Sequence, residues 1–211
     1  MPRIPKPSFE ERRKVVIDAA MTCFAQKGFH QTTMQDVAVE AGVSPGALYT
    51  YFKSKEDIIE EAAKERRQSR AVRMETASLL GGAIATIDEI FTDFSGTLER
   101  RNLSPESRIR PQIWADALSN DRTSHILKES WGDIIKRNAE VVRRGQDSGE
   151  IDPTLNSESV AMMVLCIADG LLLHKLVDPD ATDIDEFVRA FHSVLTGKFN
   201  AGSAREAVES E

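Results

Sequence analysis

Residues 33–52 read TMQDVAVEAGVSPGALYTYF, and their apolar spacing and capping residues predict two short helices joined by a tight turn. Thr33 with Asp36 has the pattern of a capping box at the start of the first helix, although Asp stands where Glu or Gln is commoner. Gly42 ends that helix, and a Ser-Pro pair starts the second. The stretch therefore predicts a helix-turn-helix.

The two helices are predicted to pack closely. Ala38 and Ala41 are small enough to let the second helix cross the first, and Leu48 and Phe52, four positions apart, bury its back. The outward side then carries small or hydrogen-bonding residues: Pro45, Gly46, Ala47, Tyr49 and Thr50. Such residues suit a helix that enters the major groove of DNA. The alternative is a tight two-helix corner that binds nothing, which many helical proteins contain.

A longer stretch, residues 28–57, reads GFHQTTMQDVAVEAGVSPGALYTYFKSKED and resembles the DNA-binding signature of the TetR family of transcriptional regulators. The resemblance implies an all-α fold of about nine helices: a three-helix helix-turn-helix DNA-binding domain, then a helical ligand-binding and dimerisation bundle. It implies a homodimer that binds palindromic double-stranded operator DNA and a small-molecule effector. The implied function is sequence-specific regulation of transcription, most simply repression that the effector relieves.

The resemblance also assigns roles to single residues of the motif. Thr33 matches a position that contacts a DNA phosphate at the start of its helix. Two further groups match positions that contact the DNA backbone (Ser44, Tyr49, Tyr51 and Lys53) and positions that face base edges (Pro45, Gly46, Ala47 and Thr50). Because the base-facing residues include no Arg, Asn or Gln for bidentate hydrogen bonds to bases, we expect DNA shape to contribute more than usual.

Capping residues predict helices along the rest of the chain. The first predicted helix runs from Ser8 to Lys27, and Gly28 ends it. Beyond the motif, Ser54 with Asp57 repeats the capping pattern, and Ser104 followed by Pro105 predicts another helix start. The predicted helices there span residues 54–78, 84–100, 105–119, 122–147, 157–177 and 184–199. The predicted domains are a DNA-binding domain at 1–53 with an N-terminal arm at 1–7, a helical regulatory and dimerisation domain at 54–200, and a disordered tail at 201–211.

Charge divides the chain in the same way. The whole chain of 211 residues has a formal net charge of −7, which excludes a uniformly basic surface. Residues 1–53 hold seven Lys and Arg against five Asp and Glu, whereas the remainder holds 20 against 29. The N-terminal segment, at +2, is therefore the part whose charge tolerates a polyanion such as DNA.

The composition predicts a soluble, intracellular protein, and the resemblance implies that it is cytoplasmic and associated with the nucleoid. Its two cysteines, Cys23 and Cys166, are far apart and are predicted to be small core residues of a protein in a reducing compartment. Residues 1–7 lack the apolar core of a signal peptide. The apolar run from Val160 to Ala168 is shorter than the roughly 20 residues of a membrane span, so we expect no membrane association.

Apolar stripes on the last two helices predict a four-helix dimer interface, two helices from each subunit. The stripes are Val160, Val164, Ile167, Leu171 and His174 on one helix, and Phe187, Phe191 and Leu195 on the other. The alternative is that they close the core of a single chain. Bulky residues of the middle helices are candidates for a ligand pocket, with a role in the core as the alternative: Phe91, Phe94, Ile113, Trp114 and Trp131.

No motif predicts catalysis, a cofactor or a metal site. The sequence lacks a glycine-rich phosphate loop, a GxSxG elbow and an HExxH zinc motif, so we expect no enzyme. The four histidines do not have metal-ligand spacing: His30, His125, His174 and His192. Two alternatives to a repressor stay open, a helical adaptor that binds only protein and a transcriptional activator of the same fold.

Overall fold

The computed structural model describes residues 8–77, 81–98, 103–180 and 183–197, and within these ranges the chain forms nine α-helices and no β-strand. They are α1 (Phe9–Lys27), α2 (Met34–Glu40), α3 (Pro45–Tyr51), α4 (Lys55–Ala77), α5 (Ala83–Gly96), α6 (Pro105–Ala117), α7 (Asp121–Ser148), α8 (Ser157–Val177) and α9 (Ile184–Leu195). The all-α prediction is confirmed. The predicted arm at 1–7, the tail at 201–211 and the helix ends at 78, 100 and 199 lie outside the described residues.

The capping residues predicted from the sequence begin their helices. Ser8 and Thr33 each form a reciprocal capping box with the acidic residue three positions later. Ser44 and Ser104 each accept a hydrogen bond from the backbone N–H three positions later, and a proline follows each of them. These local hydrogen bonds fix the starts of α1, α2, α3 and α6.

The C-terminal end of α9 differs from its prediction. The helix stops at Leu195, and Gly197 has a φ of 71°, in the left-handed region that favours glycine. The N–H of Gly197 donates to the carbonyl oxygen of Val194, three residues earlier. Gly197 therefore ends the helix, and α9 stops four residues before its predicted end at residue 199.

One compact unit contains residues 1–67 and 104–130, that is α1 to α3, the first part of α4, α6 and the start of α7. Its core is a continuous cluster of buried side chains, among them Phe24, Phe29, Val37, Leu48 and Ile58. The helix-turn-helix therefore shares one core with residues from α4, α6 and α7.

The second compact unit contains residues 68–103 and 131–211, and its described part includes α5, α8 and α9. The ring of Phe91 on α5 is buried and stacks on Phe191 of α9, with 4.0 Å between the ring centroids. On the same pair of helices, His192 Nδ1 lies 3.0 Å from a carboxylate oxygen of Asp88. These two units are defined by contacts within the chain and not by function. The predicted DNA-binding domain at 1–53 and the regulatory domain at 54–200 therefore stay predictions.

Helix α8 exposes much of its apolar surface. Among the described helices it is long and apolar enough to cross a membrane, yet only 22% of its most apolar window is buried. The uninterrupted run at 160–168 understates this apolar length, because apolar residues continue after Asp169 to Val177. Core helices of globular proteins meet the same criteria of length and composition. Its own unit therefore leaves a wide apolar side of α8 uncovered.

The two cysteines lie in different surroundings. Cys23 is buried, as predicted, and burial together with the Glu40 carboxylate raises the pKa of its thiol. Cys166 is exposed on α8, so its prediction as a core residue is wrong. Because α8 is apolar around most of its circumference, the apolar neighbours of Cys166 did not reveal which side faces the core.

Candidate nucleic-acid interface

The corner between α2 and α3 is closed by buried side chains and one glycine. Val37 and Ala38 of α2 are buried against the same core as Leu48 of α3. Gly42 has a φ of 64°, and its N–H donates to the Val39 carbonyl oxygen at 3.1 Å. This left-handed residue turns the chain within three positions, so the predicted helix-turn-helix geometry is present.

The outward side of α3 is open to solvent. Pro45, Gly46, Tyr49 and Thr50 are exposed and Ala47 is half-buried, whereas Leu48 and Phe52 are buried on the opposite side. The residues that the resemblance assigned to base edges therefore lie together on one accessible surface. Tyr51 is half-buried, with its ring 4.9 Å from that of Phe9.

Two hydroxyl groups of α3 differ in what they can offer to DNA. The Thr50 hydroxyl donates to the Ala47 carbonyl oxygen at 2.6 Å, which leaves its lone pairs and its methyl group for an outside partner. The Ser44 hydroxyl accepts the Ala47 N–H at 3.2 Å, so its own proton stays available for a phosphate. Ser44 thus suits a backbone contact, and Thr50 suits a thymine methyl or a base amino group.

Thr33 is exposed at the start of α2, but its donors are engaged within the chain. Its N–H and its hydroxyl both donate to Asp36 Oδ2, at 2.8 and 2.7 Å. Lys27 donates to the other oxygen of Asp36 at 2.5 Å. The Lys27 hydrogen bond and the Thr33 donors hold the pKa of the Asp36 carboxyl well below its ordinary value. A phosphate contact by Thr33 therefore requires its donors to leave Asp36.

The junction between α3 and α4 is fixed by one carboxylate. Asp57 Oδ2 accepts the N–H groups of Lys53 and Ser54, at 2.7 and 3.1 Å. Its other oxygen accepts a hydrogen bond from Arg122 of α7. Burial acts to raise the pKa of Asp57, but the Arg122 guanidinium and the two N–H donors outweigh it, so the pKa is lowered. The Lys53 backbone is thereby held in place, while its side chain is exposed.

The structure adds residues that sequence reasoning missed. Gln112 of α6 and Lys55 of α4 bond the backbone of the turn that precedes α2. Gln112 is 83 positions from its partner Phe29, so no local pattern could have identified it. The Ser54 and Asp57 capping pattern was visible in the sequence, but its partner Arg122 was not.

The candidate pocket residues lie in different units. Phe91, Phe94 and Trp131 belong to the second unit, whereas Ile113 and Trp114 belong to the first. Phe91 is buried in the core against α9, and Ile113 packs against the core of the first unit. The guanidinium of Arg110 lies over the Trp114 ring, 5.4 Å from its centroid. A ligand role for these five residues stays a prediction.

The predicted dimer residues also divide by exposure. Val164 and Leu171 of α8 and Phe191 of α9 are buried within the chain itself. The remaining residues are at least partly accessible: Val160, Ile167, His174, Phe187 and Leu195. Among the residues described, no group of three or more His, Cys, Asp or Glu side chains could hold a metal ion.

Helix α3 packs on the capped helix α2 after a turn at Gly42, and its outward side is exposed. This arrangement defines a helix-turn-helix DNA-binding protein. Two family profiles match the chain: bacterial regulatory proteins of the tetR family at residues 16–62, and the C-terminal domain of BetI-type transcriptional repressors at residues 85–200. The chain belongs to the TetR family of bacterial transcriptional regulators. Members of this family bind operator DNA as dimers and respond to small-molecule ligands.

Individual relatives match over most of their length. The uncharacterised regulator YfiR of Bacillus subtilis is 27% identical, covering 87% of this chain and 89% of that protein. The regulator TtgR of Pseudomonas putida is 28% identical with the same coverage. The structure of FadR from Bacillus subtilis with stearoyl-CoA superposes with a TM-score of 0.72 at 24% identity, covering 87% of this chain and 97% of FadR. These relatives are bacterial regulators that act on DNA, so the protein is cytoplasmic.

Proposed function

We propose that this regulator is a homodimeric repressor that reads its operator through the outward side of α3 and leaves it when a small molecule binds. The observation that carries the proposal is the exposed surface of α3 opposite its buried residues Leu48 and Phe52. We assign base contacts to Pro45, Gly46, Ala47 and Thr50, and phosphate contacts to Thr33, Ser44, Tyr49, Tyr51 and Lys53. The protein acts on the nucleoid and carries out no catalysis.

The proposed mechanism follows from the geometry of a palindrome. Each dimer presents two copies of α3 to successive major grooves, which lie about 34–36 Å apart. A ligand that binds better to a conformation with a different spacing moves the population away from DNA. Ligand binding by the similar protein FadR, whose structure contains stearoyl-CoA, is consistent with an effector in this fold. An activator would use the same contacts at a different promoter position.

We place the dimer interface on the side of α8 that its own unit leaves open. That side carries apolar residues at helical spacing: Met162, Met163, Cys166, Leu173 and Val177. Exposed apolar surface of this extent favours a protein partner, and a second copy covers it symmetrically. The interface then uses this side of α8 together with the accessible residues of α9, whereas Val164 and Leu171 support it from within the subunit.

The test is equilibrium binding to DNA from the region beside the protein's own gene, measured by fluorescence anisotropy over a series of salt concentrations. We expect saturation at one dimer per palindrome and an affinity that falls steeply with salt, because phosphate contacts release counterions. Screening small molecules against the complex should then identify compounds that lower this affinity. Weak binding that is equal on all DNA, the adjacent region included, would contradict the proposal.

A further inference from the structure

The turn before α2 is held by side chains from two helices outside the helix-turn-helix. The Phe29 N–H donates to Gln112 Oε1 of α6 at 2.7 Å. Lys55 of α4 donates to the carbonyl oxygens of Phe29 and His30, at 2.6 and 3.3 Å, and its ammonium lies 4.7 Å from the centroid of the Phe29 ring. The turn that leads into α2 is therefore fixed to α6 on one side and to α4 on the other.

The junction after α3 is held in a similar way from α7. Arg122 donates to the Ser54 hydroxyl at 3.1 Å and also to the carboxylate of Asp57. Asp57 in turn accepts the N–H groups of Lys53 and Ser54. The start of α7 thus reaches the backbone of Lys53, directly after the reading helix, through one intermediate carboxylate.

Gln112 in α6 and Arg122 in α7 lie on either side of the α6–α7 corner, which hydrogen bonds at Asp116 and Asn120 hold together. Asp116 is only 4% exposed, and its Oδ2 accepts the Thr123 hydroxyl at 2.5 Å. Asn120 caps α7 by accepting the N–H of Arg122 at 3.1 Å, and its own N–H donates to the Asp116 carbonyl oxygen at 2.9 Å. Asp116 Oδ1 lies 3.5 Å from His30 Nε2 in the turn before α2. These bonds join the end of α6 to the start of α7.

We propose that the α6–α7 corner is a two-point clamp on the helix-turn-helix: Gln112 holds the turn before α2, and Arg122 holds the junction after α3. Two points of attachment leave α2 and α3 only a rotation about the line that joins the points, and the packing of both helices on the shared core opposes that rotation. A displacement of the corner then moves the reading helix as a unit. The inference deepens the proposed function, on which it rests, and it makes Gln112 and Arg122 positioning residues for DNA binding.

Thermodynamic linkage gives the test. If the corner sets the position of the reading helix, then DNA binding must in turn restrain the corner, because coupling between sites is reciprocal. Hydrogen–deuterium exchange of the full-length protein with and without saturating operator DNA measures this restraint. In the wild type we expect DNA to slow amide exchange both at residues 33–52 and at residues 105–117.

The decisive variant is Gln112→Leu, which removes the acceptor for the Phe29 N–H while keeping a similar shape. With enough DNA to saturate it, we expect protection at 33–52 to persist, protection at 105–117 to weaken because only Arg122 then holds the corner, and operator affinity to fall about tenfold. Gln112→Glu keeps an acceptor oxygen and should restore both. Arg122→Leu tests the second point of the clamp if Gln112→Leu unfolds, and Arg143→Leu, at an exposed ion pair further along α7, is the control.

The outcomes separate this inference from the proposed function. Protection at 33–52 without any at 105–117 in the wild type would overturn the clamp and leave the reading helix in place. Equal protection at 105–117 in the wild type and in Gln112→Leu, both saturated with DNA, would also overturn it. If DNA protects neither stretch in the wild type, the proposed function fails and the clamp fails with it.

Discussion

Thr50 is the exposed residue of α3 that can contact a base through both a methyl group and a hydroxyl oxygen. Its hydroxyl proton is donated to the Ala47 carbonyl oxygen, so toward DNA the side chain presents a methyl group and oxygen lone pairs. Thr50→Ala removes both, whereas Thr50→Ser removes only the methyl group. We expect Thr50→Ala to relax base preference at one position of each half-site by about 1 kcal/mol, the low end for a single base contact.

Binding of both variants to a set of operators with single base-pair changes measures this preference. If Thr50→Ser behaves like Thr50→Ala, the methyl group reads a thymine; if it behaves like the wild type, the hydroxyl oxygen accepts from a base amino group. A uniform loss of affinity across all operators would contradict a base contact by Thr50.

Lys53 tests a phosphate contact. Its backbone is held by Asp57 while its side chain is exposed at the end of α3. We expect Lys53→Ala to weaken binding to all DNA sequences alike and to reduce the slope of log affinity against log salt by about one, the value for a single phosphate. Lys136→Ala, at an exposed lysine in the middle of α7, is the matched control and should leave the slope unchanged. An unchanged slope in Lys53→Ala would remove Lys53 from the interface.

At the scale of single elements, the turn between α2 and α3 depends on the conformation of Gly42. Its φ of 64° disfavours every residue with a Cβ atom, yet a Cβ built there meets no atom within 4 Å. The cost of Gly42→Ala is therefore backbone strain alone, and we expect the free energy of unfolding to fall by about 1–2 kcal/mol.

Gly132→Ala is the control for this prediction. Gly132 lies inside α7, a Cβ there also meets nothing within 4 Å, and its φ is not positive. Alanine should stabilise this helix by up to about 1 kcal/mol, because glycine is a poor helix former. Urea unfolding of the two variants should therefore give shifts of opposite sign. Changes of the same sign in the free energy of unfolding would show that the turn does not need a left-handed residue at position 42.

The start of α4 predicts a dependence on pH. The pKa of Asp57 is lowered from 3.8 in the folded protein, so its stabilising effect is present above that ordinary value and is lost as pH falls through the lowered pKa. We expect Asp57→Asn to reduce the free energy of unfolding at pH 7 by about 1 kcal/mol. The difference from the wild type should stay constant down to about pH 5 and shrink below about pH 4.

Urea unfolding at a series of pH values checks this, with Asp133→Asn as the comparison. Asp133 pairs with Arg137 one turn along the exposed side of α7, and such a pair contributes only about 0.3–0.5 kcal/mol. A difference for Asp57→Asn that is no larger than that for Asp133→Asn would mean that the α3–α4 junction does not depend on the Asp57 charge.

The elements that could be predicted from the sequence are those with local signals. The caps at Ser8, Thr33, Ser44 and Ser104 and the turn at Gly42 all depend on residues within a few positions, and the structure contains them all. The buried side of α8 could not be predicted, because a helix that is apolar on most sides has no periodicity to show which side faces the core. The contacts of Gln112 and Arg122 join residues more than 60 positions apart, beyond any local pattern.

At the scale of the whole molecule, the distribution of charge disfavours non-specific binding to DNA. Residues 54–211 hold 29 acidic against 20 basic residues, so most of the protein repels the phosphate backbone of DNA. The attraction to DNA must therefore come from the few contacts that the helix-turn-helix makes. A single helix-turn-helix has only a small surface for such contacts. Two copies linked in a dimer raise affinity through effective concentration, without new contacts in either half. Operator binding should thus depend strongly on the dimer.

The exposed side of α8 gives a direct test of that dependence. Leu173 is 44% exposed on α8, and we expect Leu173→Glu to place a charge in the proposed interface and separate the subunits. Leu118→Glu is the matched control, because Leu118 is 90% exposed next to α6 and far along the chain from α8. Sedimentation equilibrium should give twice the chain mass of 23.4 kDa for the wild type and Leu118→Glu, and the chain mass itself for Leu173→Glu.

Loss of the dimer should then appear in DNA binding. With each subunit limited to one half-site, we expect Leu173→Glu to lose about 100-fold or more in operator affinity, because the second half-site no longer binds at a high effective concentration. Its affinity for an isolated half-site should equal that of the wild-type subunit, since α3 is untouched. A Leu173→Glu protein that stays dimeric at micromolar concentration would place the interface elsewhere, and a monomer that keeps full operator affinity would mean that one reading helix is enough.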